Sequence, residues 1–103
     1  MHWDGFTAME RDVRAMVTDP RWADLPLPTR AQAMADRVLV TPEGACWVFG
    51  AHGRWYRYEA SDGVWHLSPP PVHPGYRAAA RPARPAPGLP AALLPDAPDC
   101  AAD

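Results

Sequence analysis

The sequence contains no lysine, no isoleucine and no asparagine. Each absence removes chemistry. Without Lys there is no Schiff-base nucleophile and no phosphate-loop lysine. Without Asn there is no N-glycosylation sequon and no Asn-Gly hairpin turn. All three residues depend on A/T-rich codons, so their joint absence points to a bacterial gene of high G/C content. Cysteine is scarce: Cys46 and Cys100 form no Cys-x-x-Cys pair, and His2, His52, His66 and His73 show no ligand spacing. No metal site and no cofactor is expected. No apolar run approaches the ~18 residues of a membrane span. Met1-His2-Trp3-Asp4 carries neither a basic nor an apolar leader region, so the expected location is the cytoplasm. The net charge of −2 favours neither nucleic acid nor an anionic membrane.

What is abundant is proline. There are 14 in 103 residues, and ten of them follow Ser68. The foldable part is then nearer ~65 residues, close to the lower limit for an unstapled core.

Three zones follow. Residues 1–43 read as helical. Phe6, Met9, Val13, Met16 and Val17 share one helical face, with Thr7 and Glu10 as a capping box or Asp4 as the alternative cap. Asp19-Pro20 closes this helix. A second helix is expected from Thr29, with Gln32 completing its capping box. It carries Ala31, Met34, Ala35, Val38 and Leu39 and ends before Pro42. Thr41-Pro42-Glu43-Gly44 is a turn signal. Residues 44–68 read as β, with strands at 45–49, 54–59 and 64–67 joined by short Gly-bearing loops. That pattern favours an antiparallel meander. Residues from 68 onward form a Pro/Ala tract with Arg77, Arg81 and Arg84, then Asp96, Asp99 and Asp103, and at most a short anchored stretch around Val72 to Tyr76. The expected fold is α+β: two N-terminal helices on a three-stranded antiparallel meander in residues 1–76, and a disordered proline-rich tail over 77–103.

The densest feature is Trp47 to Trp65, which holds three of the five Trp together with Tyr56 and Tyr58. Such side chains either build a core that aliphatics cannot supply in so short a chain or stand exposed as a groove for proline. The segment resembles the WW domain. Trp47 stands where that family's first Trp lies, Gly53-Arg54 resembles its first-loop Gly-Arg, and Tyr56 and Tyr58 flank its central aromatic pair. Trp65 resembles its ligand-facing second Trp and Pro69 its closing proline. The family's Asn after the aromatic pair and the Thr residues before the second Trp have no counterpart here. The resemblance implies that Tyr56 or Tyr58 grips a proline with Trp65, and that Trp47 and Pro69 are structural.

The leading functional expectation is a non-enzymatic protein-interaction or accessory module. Its binding residues are Trp55, Tyr56, Arg57, Tyr58 and Trp65, and its partner is another protein, either proline-rich or its own tail at Pro69, Pro70 and Pro71. In this reading the tail folds back over the aromatic sheet, in cis or onto a neighbour. Trp3 and Trp22 lie outside the sheet and either fill the gap between helices and sheet, the reading favoured for each alone, or anchor a partner contact. The alternative is a single-strand nucleic-acid binder using the same aromatics with Arg54, Arg57, Arg77, Arg81 and Arg84. A third reading is an enzyme built on Cys46 and His66, if their strands pair suitably. Glu10, Asp12, Asp36 and Glu43 read as solvated helix faces.

Overall fold

The computed structural model describes residues 4–84, 86–90, 93 and 94. Trp3, His2, Cys100 and the acidic Asp96, Asp99 and Asp103 lie outside these residues.

Helix α1 spans Gly5–Thr18. Asp4 caps it, accepting from the Phe6 and Thr7 amides at 3.1 Å each, so the alternative cap is the one used. Phe6 and Val13 are buried and Met9, Met16 and Val17 pack partly against the core, as the periodicity predicts. A single 3-10 turn, Pro20–Trp22, follows, capped by Asp19. Trp22 is 2% exposed and belongs to the core rather than to a surface anchor.

Helix α2 spans Leu27–Ala35, two residues earlier and several shorter than expected. Its cap is Pro26, with no side-chain bond. Pro28 sits in the first turn, where a missing N–H costs nothing. Gln32 does not complete a capping box; its Nε2 donates to Asp36 at 2.9 Å. Val38 and Leu39 leave the helix because Leu39–Val40 forms strand β1, bonded on both sides. Ladder pairing there outweighs local helical periodicity.

Thr41 to Gly44 is the predicted turn, closed by Gly44 N–H to Thr41 C=O at 2.8 Å. Strands β2 (Cys46–Phe49), β3 (Trp55–Glu59) and β4 (Val64–Leu67) form the expected antiparallel meander. Gly53 and Gly63 end its two turns at φ 86° and 69°, a region that L side chains avoid. The sheet is larger than three strands. After helix α3 (Pro74–Ala79), strand β5 (Arg81–Pro82) pairs with β1, and the order is β4-β3-β2-β1-β5.

The boundary expected after residue 76 is therefore displaced. Arg77 binds back to α1, donating to Asp4 at 2.9 Å and to Thr7 Oγ1 at 3.1 Å, and also to the Pro71 carbonyl at 3.0 Å. Ala80 and Ala83 are buried, and Leu93 and Leu94 lie in the core at 4% and 2% exposure. The anchoring at 72–76 does not come from Val72, which is 89% exposed. A core of so few residues gains from every aliphatic side chain it can cover, and the last two leucines of the sequence supply them. Residues 95–103 of the expected tail lie outside the described residues.

Candidate functional site

Register decides which aromatics share a face. Trp47 pairs with Arg57, Phe49 with Trp55, and Arg57 with His66. These side chains occupy the face that packs on α1. Phe6 lies 4.7 Å from the Trp55 ring and 5.7 Å from the Trp47 ring, centroid to centroid. The Trp55 indole N–H donates to Glu10 Oε2 at 2.7 Å. Glu10 is thus a helix-to-sheet link, not simply a solvated carboxylate. On the opposite face stand Cys46, Val48, Tyr56, Tyr58, Trp65 and Leu67, since Val48 pairs with Tyr56, Tyr56 with Leu67 and Tyr58 with Trp65.

The five expected binding residues therefore do not form one surface. Trp55 is 5% exposed and is held by α1. Arg57 lies on the same side, its guanidinium 5.9 Å from the Trp47 ring centroid and paired with Glu59. Tyr56, Tyr58 and Trp65 remain together on the other side, with the Tyr58 and Trp65 rings 5.3 Å apart.

That second face is covered by the chain's own C-terminal segment. The Trp65 indole N–H donates to the Gly88 carbonyl at 2.8 Å. Ala51 N–H donates to the Leu93 carbonyl at 3.2 Å. A Cβ built on Gly50 would meet Tyr56 Cε1 at 3.1 Å and Leu93 Cδ2 at 3.5 Å, so the tyrosine ring and the leucine flank the glycine. Ala86 and Leu89 pack on the core as well. The residues that do this are Ala86, Gly88, Leu89 and Leu93, not Pro69 to Pro71. Their sequence signal is the run of Leu89, Leu93 and Leu94 in a tract otherwise made of Pro, Ala and Gly.

Other constellations dissolve or are paired. Cys46 and His66 stand on opposite faces of the sheet, so the nucleophile–base pair is not assembled. Burial pushes the Cys46 thiol above its ordinary range, away from thiolate. His66 lies 2.8 Å from Asp62, whose carboxyl that bond holds below the usual range. Among the arginines of the nucleic-acid reading, Arg57 is paired with Glu59, Arg77 with Asp4 and Arg84 with Asp36. Among the described residues, three surface concavities have volumes of about 200, 260 and 260 Å³. Each is below the ~300–1,000 Å³ of small-molecule sites. Among the described residues no three His, Cys, Asp or Glu side chains converge as metal ligands, and no helix is long and apolar enough to cross a membrane. Compared with protein-family models, curated proteins and solved structures, the chain matches none.

Proposed function

We propose that this chain is a non-enzymatic protein-interaction module that holds an extended, proline-bearing segment on the sheet face formed by Tyr56, Tyr58 and Trp65. The observation that carries the reading is the bond from the Trp65 indole to the Gly88 carbonyl, in the run Pro87-Gly88-Leu89-Pro90. An aromatic face accepts such a segment because proline rings are apolar and already extended, so little entropy is lost on docking. An indole N–H supplies one directional bond to a main-chain carbonyl. The WW-domain resemblance assigns the same part to Trp65 and to Tyr56 or Tyr58. Trp47 and Trp55, buried against α1, serve the core. In the free chain the segment is its own; the proposed partner is a protein that presents a similar sequence and competes for the face. The proposed setting is the bacterial cytoplasm, a reading that composition supports.

The test is a titration of the full chain with synthetic peptides bearing Pro-Gly-Leu-Pro or Pro-Pro runs, followed by Trp fluorescence and by amide exchange at Ala51. Saturable binding that exposes the Ala51 amide, released as Leu93 leaves, supports the proposal. Peptides that reach millimolar concentration without moving either signal refute it.

A further inference from the structure

The two edges of the sheet are built differently. Ser68 N–H donates to the Trp55 carbonyl at 3.1 Å. Bonded pairs alternate along an antiparallel ladder, so His66 and Ser68 point their main-chain groups inward to β3, while the Val64 N–H donates to Asp62 Oδ1 at 3.0 Å. Trp65 and Leu67 then point theirs outward. At the far edge Ala83 N–H donates to the Val38 carbonyl at 2.9 Å, which makes Pro82 the outward residue of β5. Proline has no N–H, and that edge is closed to a further strand. Strand β4 carries no Pro, Lys or Arg, and among the described residues no strand lies beyond it. Leu67 is 60% exposed and Val64 49%.

We propose that β4 pairs antiparallel with β4 of a second copy, about a two-fold axis through His66, so that one sheet runs across the dimer. The stretch able to pair begins after Gly63, whose φ is 69°, and ends at Pro69. His66 is its midpoint. Centring an antiparallel register on His66 uses the whole stretch and sets Trp65 of each copy opposite Leu67 of the other. Those are the two residues whose N–H and C=O face out. A strand whose bonding residues are symmetric about its own centre is complementary to itself, which is what an isologous contact requires. Charge permits the approach. The only ionisable side chain on β4 is His66, and it stands 2.8 Å from its own Asp62. Arg57, facing His66 from β3, is paired with Glu59. The side chains nearest the axis are thus already engaged within their own copy, His66 with Asp62 and Arg57 with Glu59. So short a contact falls in the weak class, below ~1,200 Å². The pairing leaves the Trp65–Gly88 bond in place and does not rest on the function proposed above.

The experiment is sedimentation equilibrium of the full chain from micromolar to millimolar concentration, with amide exchange read in parallel. The expected result is a mass that rises from one chain to two, with the Trp65 and Leu67 amides slowing as the dimer fills. Leu67→Pro removes an outward N–H and no bond to β3, and Leu67→Lys places a charge at an exposed edge. Each should weaken the dimer about tenfold or more. Circular dichroism identifies a variant that has failed to fold, and the other variant then decides. A chain that stays monomeric at millimolar concentration overturns the proposal and leaves the edge to a strand of another protein. A dimer that the folded variants leave intact also overturns it.

Discussion

Replacing Trp65 by Phe removes one indole N–H and the outer part of one ring. Trp65 is 8% exposed, so nearly all the lost surface had been taken out of water. The bond to Gly88 is between neutral groups, and Gly88 itself is exposed, so water can reach the freed carbonyl. That places the bond near the middle of the usual range, about 1 kcal/mol. Roughly 40 Å² of lost apolar burial adds about 1 kcal/mol. The sum of about 2 kcal/mol corresponds to roughly thirtyfold in an equilibrium constant. If Trp65 secures the C-terminal segment, the loss falls on local opening of that segment. Two adjacent amides separate local from global opening. Ala51 N–H donates to the Leu93 carbonyl, whereas Gly50 N–H donates to Arg54 within the β2–β3 turn. Native-state exchange at Ala51 should accelerate by up to roughly thirtyfold, while Gly50 changes far less. Equal acceleration at both, or none at Ala51, would refute the reasoning.

Glu10→Ala should cost about 2 kcal/mol in urea unfolding, because it strips a charged acceptor from the Trp55 N–H. Trp47→Phe should cost less than this, since the buried Trp47 N–H has no acceptor among the described residues; a larger loss for Trp47→Phe contradicts the assignment. Acid should weaken the fold in a defined window. Bonds from the Arg21 side chain and amide hold Asp19 down at about 2. Burial works against ionisation of Asp4, but bonds from Arg77 and Thr7 outweigh it and hold that carboxyl low too. A depressed carboxyl contributes stability above its unfolded pKa and loses it as pH falls through the folded one. Melting temperature should be level above about pH 5 and fall between about pH 4 and pH 2. Asp19→Asn should flatten the lower part of that slope, and an unchanged slope would exclude Asp19 as a contributor.

Some of this was legible residue by residue. Phe6, Met9, Val13, Met16 and Val17 mark α1 because helical periodicity is a local property, and the meander follows from three alternating runs set between Gly-bearing turns. The errors have physical causes. Leu39 fits a helical pattern, but strands on both sides of it offer ladder bonds that no local pattern records. Trp55 and Trp65 look alike in sequence, yet one is held by Glu10 on α1 and the other by Gly88 in the C-terminal segment. Cys46 and His66 form a plausible pair until register sets them on opposite faces.

Composition by itself determined what the chain lacks, that its core is small and aromatic, and that a proline-rich segment follows the last strand of the meander. Only the tertiary structure decided that this segment belongs to the fold. Alternation assigns side chains to two faces of a strand but does not say what covers each. Coverage depends on contacts between residues far apart in the chain, and here α1 packs on one face while Ala86, Gly88, Leu89 and Leu93 pack on part of the other.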